Sequence, residues 1–327
     1  MLVVAPLSRK MVNLLKTWTF NFLEKLNLNH QTIVIGLSGG PDSVALLHLL
    51  NVYQKDFNYT LIAAHLDHQW RANSGQDALF CENLCSELGI KLVTGKGNDF
   101  KLEQPYNGSQ EELGRNLRRA FLEQVVQNYH AKYIMLAHHL DDQIETFLIR
   151  LIRGTSLSGL GCMQEHNEPY LRPLLNFTKD QILNYLTQHN LNYVIDQTND
   201  SPVYLRNRIR KLVPELENID PRFKNNFASS LTKIQEANSF INKLVLEKLN
   251  QININHNLEL NLFKSLDFFL QKEILLHWLY AHQVKFAISE SLIDEILRFL
   301  LSPRGGKHQI NPDFAISKKQ NLAQIIK

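Results

Sequence analysis

From about residue 30 onward, short apolar runs alternate with longer segments whose apolar positions recur at helical spacing. Ile33-Val34-Ile35, Leu61-Ile62-Ala63-Ala64, Leu92-Val93 and Tyr133-Ile134-Met135-Leu136 are too short for helices and read as strands, continuous enough in apolar character to be buried on both faces. Between them, Val44 to Leu50, Asp77 to Leu88 and Glu111 to Asn128 read as helices. This alternation predicts an α/β domain built on a mostly parallel, doubly wound sheet with helices on both faces. A leading helix is expected ahead of it, from Met11, Leu14, Leu15, Trp18, Phe22 and Leu23.

Past Arg210 the alternation stops. Helical patterns run from about Pro221 to Asn250 and from Phe263 to Leu300, so a smaller, mainly helical second domain is expected. The boundary is placed near Pro214 to Pro221, which assigns residues 1–215 to the sheet domain and 216–327 to the helical one. The tail after Gly305-Gly306 alternates weakly and is expected to add a short strand. Thr178-Lys179-Asp180-Gln181 has capping-box spacing and opens a helix through Leu186.

Composition changes this picture little. A chain of 327 residues, 44% hydrophobic and 20% charged, fits two globular domains, and no run of roughly 18 apolar residues offers a membrane span. Met1 to Leu7 is apolar, but Arg9 and Lys10 follow it rather than precede it, which is the wrong order for a secretory leader. Cys81, Cys85 and Cys162 leave one unpaired in any disulfide scheme, so reduced thiols and a cytoplasmic location are expected. A net charge of +3 permits a nucleic-acid partner without requiring one, so any such partner must be argued from local clusters.

In sheets of this kind ligands bind beyond the carboxyl ends of the strands, so the polar residues after each strand carry the chemistry. After the first strand comes Ser38-Gly39-Gly40-Pro41-Asp42-Ser43. Two glycines allow left-handed backbone and close approach of a phosphate, and Pro41 suits a first helical turn. Strand, glycine turn and helix N-terminus together form an anion cradle. No lysine follows the second glycine as in a Walker loop, and the dinucleotide glycine spacing is absent. After the second strand comes His65-Leu66-Asp67-His68, with Arg71 and Ser74 beyond it, and after the fourth comes His138-His139-Leu140-Asp141-Asp142.

The segment 138–153 predicts an amphipathic helix that buries Ile144, Phe147, Leu148, Leu151 and Ile152 on one face. Asp141, Asp142 and Glu145 open it, where the helix dipole favours negative charge by roughly 0.3–1 kcal/mol, and Arg150 and Arg153 close it. Glu145 and the two arginines read equally as ordinary capping or as part of the site. The histidine pair followed by two aspartates at a strand exit can instead hold Mg2+ beside phosphate oxygens or polarise a nucleophile. Glu111, Arg115 and Arg118 share one helix face, as intrahelical ion pairs or as a phosphate-contacting edge. Arg206, Arg208, Arg210 and Lys211 form a second basic cluster, preceded by Asp196 to Asp200, which reads as solvated charge or as a polyanion contact.

The order serine-glycine-glycine-x-aspartate-serine resembles the pyrophosphate loop of the N-type ATP pyrophosphatases. With His65 to His68, Glu111 to Arg119, His138 to Thr146, Arg153-Gly154, Arg172-Pro173-Leu174-Leu175, Asp196 to Asn199 and Arg206-Asn207, the chain resembles the tRNA(Ile)-lysidine synthase family over about residues 30–212. The resemblance implies a PP-loop catalytic domain and a C-terminal domain in contact with tRNA. It implies ATP-dependent ligation of free L-lysine to C2 of the wobble cytidine in tRNA(Ile) with a CAU anticodon. The reaction passes through an adenylated tRNA and releases AMP and pyrophosphate, with ATP as substrate and Mg2+ as cofactor. It places ATP on Ser38, Gly39, Gly40, Pro41, Asp42, Ser43 and His65, catalysis on Asp42, His139, Asp141 and Asp142, Mg2+ near Asp42 and Asp142, and tRNA on Arg71, Arg115, Arg118, Arg206 and Arg208. No membrane partner is implied, and a homodimer is compatible with the pattern. Longer family members carry a further C-terminal tRNA-binding domain, and this chain is expected to end near the start of one, at Gly305-Gly306 to Lys327.

Two other functions are compatible with the loop. A tRNA-thiolating sister enzyme should carry a reactive cysteine or a C-x-x-C cluster site, which Cys81 and Cys85, spaced four apart within a helix, do not supply. A non-catalytic tRNA-binding module would not need Asp42, Asp141 and Asp142 intact.

Overall fold

The structure, a computed structural model, describes residues 9–70, 74–100, 110–195, 205–284 and 289–327. They form two compact units that divide between Thr232 and Lys233. The first runs α1 (Arg9–Glu24), β1 (Thr32–Gly36), α2 (Pro41–Tyr53), β2 (Thr60–Asp67), α3 (Ser74–Leu88), β3 (Lys91–Lys96), α4 (Gln110–Tyr129), β4 (Tyr133–Met135), α5 (Leu140–Arg153), α6 (Leu157–Leu160), β5 (His166–Asn167), β6 (Tyr170–Leu171), α7 (Lys179–Gln188) and α8 (Leu205–Ile219). Helix α9 (Phe223–Ile252) carries the chain on into the second unit.

The first unit holds a six-stranded sheet of order β3-β2-β1-β4-β6-β5. It is parallel except for the β5–β6 edge pair, which the sequence pattern did not predict. Consecutive strand residues point to opposite faces, and both faces are covered. Ile33, Ile35, Ala63 and Met135 pack with α1, α2, α3 and α7, whereas Val34, Ile62, Ala64 and Ile134 pack with Phe121, Leu122 and Val125 of α4. This is why the strands read as unbroken apolar runs. From β1 the chain moves outward through β2 to β3, then crosses to β4 on the other side of β1. The loops leaving β1 and β4 therefore part, and the crevice between them is the expected ligand position of a doubly wound sheet.

Two local expectations differ from what is found. Helix α5 buries Ile144 but leaves Leu151 54% and Ile152 61% exposed, while Gln143 and Glu145 are each only 2% exposed. The polar residues are tolerated inside because they are satisfied. The Gln143 amide donates to the Met163 carbonyl (2.8 Å) and accepts from its N–H (2.9 Å), and Glu145 is held by arginines described below. Pro214, expected at the domain boundary, lies inside α8, which continues to Ile219, and the division between the compact units falls further along the chain.

The second unit contains the rest of α9, then β7 (Asn253–Ile254), β8 (Asn257–Glu259), α10 (Leu260–Lys264), α11 (Phe268–Ala281), α12 (Glu290–Leu301), β9 (Gly306–Asn311), β10 (Phe314–Lys319) and β11 (Leu322–Ile326). The helices are as expected, but the single short strand is replaced by an antiparallel five-stranded sheet of order β7-β8-β11-β10-β9. Ile310, Ile316 and Ala323 of that sheet pack with Trp278, Leu279, Ile296 and Leu300 in one core. Lys318 disguises the pattern by standing at a buried strand position, where its ammonium donates to the Phe299 and Leu300 carbonyls (3.0 Å each) and caps the end of α12. No helix among the described residues is long and apolar enough to cross a membrane.

Candidate functional site

Three helix N-termini meet at the crevice, those of α2, α5 and α7. Helix α2 begins with Gly40 as N-cap and Pro41 in the first turn, and its first turn carries Asp42. The loop before it is braced internally. Ser43 Oγ donates to the Gly40 carbonyl (2.9 Å), and the Ser38 N–H donates to Ser43 Oγ (3.2 Å). Gly39 has φ +81°, a left-handed conformation that favours glycine, and a Cβ there would also sit close to Cys81 Sγ, at 3.3 Å. Its carbonyl accepts from Val194 N–H at 2.9 Å.

Helix α5 has His139 as N-cap, and Asp142 accepts the His139 N–H at 3.0 Å. Helix α7 opens with the capping box read from the sequence: Thr178 Oγ1 accepts from Gln181 N–H (3.3 Å), and Gln181 Oε1 from Thr178 N–H (2.8 Å). The helices are tied together at these ends. Leu140 N–H donates to Phe177 O (2.8 Å), and Lys179 N–H donates to Asp141 Oδ2 (2.8 Å). Converging N-termini present partial positive charge, an environment suited to anions.

Every carboxylate here has a cationic partner. Lys179 Nζ straddles Asp42, at 2.6 and 2.7 Å from its two oxygens. Lys224 Nζ lies 2.7 Å from Asp141 and 3.3 Å from Glu217. Arg206 reaches Asp142 (2.8 Å) and Glu145 (2.6 Å), and Arg210 reaches Glu145 (2.8 Å). His139 stands among the aspartates, its Nε2 3.6 Å from Asp42 and 3.5 Å from Asp142, its Nδ1 3.7 Å from Asp141. Burial opposes charging of this imidazole, but the surrounding carboxylates outweigh it and raise its pKa. Burial likewise opposes ionisation of Asp142, yet His139, His138, Arg206 and the His139 N–H pull its pKa down to about 2. Asp42 is lowered in the same way, against burial, by His139 and Lys179.

A second group of side chains, at the exits of β2, β4 and β6, is different. His65 is buried, and its Nδ1 donates to the Leu37 carbonyl (2.9 Å), which leaves Nε2 as an acceptor. His65 Nε2, His68 Nδ1, His138 Nδ1 and Arg172 Nε are all buried with no hydrogen-bond partner among the described residues. Burial, with Arg118 beside it, lowers His68 to about 4, and burial lowers His138 to about 4 as well. Arg115, Arg118 and Arg208 are exposed.

Of the residues singled out in the sequence, the structure brings together the Ser38–Ser43 loop, His139, Asp141, Asp142 and Arg206 in one network. Arg206 is engaged by Asp142 and Glu145. Arg71 and Asp196 to Asn199 lie outside the described residues, as does the side chain of Glu111. Lys179 and Lys224 were missed as site residues. A signal existed, since both are lysines in the first turn of a helix, where the dipole disfavours a cation. Asp42 is the carboxylate that could hold Mg2+, since its partners among the described residues are a lysine ammonium and a histidine. Both oxygens of Asp142 are already engaged, by Arg206 and by the His139 N–H. Among the described residues no three His, Cys, Asp or Glu side chains are grouped as a metal cage.

Residues 8–216 match the model of a PP-loop domain. The chain is 33% identical over 304 residues to a tRNA(Ile)-lysidine synthase of Francisella philomiragia, covering 90% of this chain and 74% of that protein. It is 35% identical over 285 residues to a tRNA(Ile)-lysidine synthase of Bacillus cereus, covering 83% of this chain and 60% of that protein. The chain thus spans about three fifths of the length of the Bacillus relatives it matches. Among solved structures it is similar to the U34-tRNA thiolase NcsA from Methanococcus maripaludis with its 4Fe-4S cluster, with a TM-score of 0.60 and 22% identity over 69% of this chain and 79% of that one, a likeness of fold.

Proposed function

Because the chain belongs to the tRNA(Ile)-lysidine synthase family of PP-loop proteins, we propose that it ligates free L-lysine to C2 of the wobble cytidine of tRNA(Ile) with a CAU anticodon. ATP adenylates the C2 oxygen with loss of pyrophosphate, and the lysine ε-amino group then displaces AMP. The observation that carries this reading is the pyrophosphate loop set at a crevice where three helix N-termini converge on a network of acids and cations.

In this mechanism the Ser38–Ser43 backbone and the α2 N-terminus receive the polyphosphate. Asp42 would hold Mg2+, which when bound would supply positive charge to offset that of the departing pyrophosphate. Lys179, whose ammonium stands at Asp42 beside the loop, adds positive charge at the same place. Asp142, pushed down to about 2, does not accept protons at neutral pH. Its part is positional: it fixes the His139 N-cap and orients Arg206. The C-terminal unit adds contacts to the tRNA.

The thiolation alternative is disfavoured by the thiols themselves. Burial raises Cys81 to about 12 and Cys85 and Cys162 to about 11, and a thiol that does not ionise is a poor sulfur carrier. Incubation with α-labelled ATP and a CAU-anticodon tRNA, without lysine, should leave label on the RNA, and added lysine should release it as AMP. Label that never reaches the RNA, or release that does not respond to lysine, would sink the proposal. Asp42→Ala should lower adenylation by about 100-fold or more, the order of loss seen when a transition-state charge partner is removed, while tRNA binding persists.

A further inference from the structure

Trp70 follows β2 at the carboxyl edge of the sheet and is 45% exposed, although an indole is among the most costly side chains to leave in water. It is nevertheless held in place. One face stacks on His68, with ring centroids 4.6 Å apart and planes 23° from parallel. Its edge lies against Gly114 of α4, where a Cβ would come 2.5 Å from the indole Cη2, so the glycine makes room for the ring. Arg118, one helical turn beyond Gly114, brings its guanidinium to 3.5 Å from His68 Nε2. Indole and imidazole are thus stacked, the guanidinium meets the imidazole at its Nε2 edge, the indole stays 45% exposed, and exposed Arg115 lies on the same helix.

We propose that Trp70 is the stacking platform for an unpaired base of the RNA substrate, with Arg118 at a neighbouring phosphate. The inference rests on the RNA-modifying reading above. A base stacks on an aromatic face whatever its identity, and an adjacent cation holds the backbone that carries it. Position favours RNA over the base of ATP. The pyrophosphate loop leads into α2, which packs on the sheet face opposite α4, whereas Trp70 lies against α4. A half-exposed indole alone gives weak binding, so the platform serves a ligand already held elsewhere by several phosphates. His68 stays uncharged at neutral pH, which suits a ring stacked on the indole beside a guanidinium.

Titration of the full chain with a CAU-anticodon stem-loop tests this through tryptophan fluorescence and affinity. The other two tryptophans are Trp278, fully buried, and Trp18, which donates to the Pro173 carbonyl. The RNA should quench the wild-type emission, and Trp70→Phe should abolish the quench while keeping affinity within about threefold. Trp70→Ala should weaken RNA binding about tenfold and leave the KM for ATP unchanged. Gly114→Ala, which favours the helix but displaces the indole, should weaken RNA binding in the same direction. Wild-type RNA affinity in Trp70→Ala, a quench that survives in Trp70→Phe, or an equal quench by ATP alone would overturn the platform while lysine ligation stands. A wild-type chain that does not bind the stem-loop would overturn the RNA-modifying reading and the platform with it.

Discussion

The two groups of side chains solve opposite electrostatic problems. Around Asp42, Asp141, Asp142 and Glu145 every acid meets Lys179, Lys224, Arg206, Arg210 or His139, so folding alone pairs the charges, and of this group His139 Nδ1 is left without a hydrogen-bond partner among the described residues. At the exits of β2, β4 and β6, buried nitrogens of His65, His68, His138 and Arg172 have no hydrogen-bond partner among the described residues. Leaving a buried polar group unsatisfied costs about 1–3 kcal/mol, so a cluster of them is an expense that a bound polar ligand can offset. The paired group reads as preorganised scaffold, and the incomplete group as the place where ligand supplies what folding does not.

The comparison can be broken most forcefully at Glu145, whose side chain is 3% exposed between two arginines. Glu145→Ala removes the carboxylate the two guanidiniums share, leaving Arg206 on Asp142 and Arg210 open to solvent, and should cost about 1–3 kcal/mol, read from the urea midpoint. An effect below about 1 kcal/mol would show that the network is not a structural unit. In the incomplete group the order of effects reverses. Arg172→Ala should change stability by about 1 kcal/mol but weaken ATP binding about tenfold, since it removes a charge-assisted donor rather than a satisfied pair. Equal losses of stability at the two sites would erase the distinction.

Smaller effects sharpen the same contrast. RNA affinity should fall as salt rises, and Arg118→Ala should reduce the logarithmic slope by about one, measured by filter binding from low to moderate salt. The pH dependence of folding should report the incomplete group. Burial holds His68 and His138 at about 4 against an ordinary 6.5, so the unfolded chain takes up protons first as pH falls. Their contribution is full above 6.5 and declines between 6.5 and 4. Thermal melts across that window should show a shallower decline in His138→Asn than in wild type, and an unchanged slope would count against a buried neutral His138.

Much of this was legible in the chain because it is local. The apolar runs at Ile33 and Tyr133, the glycine turn at Gly39 and the capping box at Thr178 each depend on a few neighbouring residues. What escaped depends on partners far along the chain. Gln143 and Glu145 turn inward because Met163, Arg206 and Arg210 meet them, a pairing that helical periodicity does not encode. The β9–β11 sheet was hidden by Lys318, whose buried ammonium interrupts the alternation to serve another element. Lys179 and Lys224 stood against the helix dipole in plain view, but their acids lie 137 and 83 positions earlier in sequence (179 − 42 and 224 − 141).

The most direct test supplies the purified chain with ATP, Mg2+, labelled lysine and tRNA carrying a CAU anticodon, and counts label in the RNA. The account predicts ATP-dependent incorporation of lysine, abolished by Asp42→Ala. RNA that remains unlabelled with lysine but gains sulfur or another amino acid would contradict it.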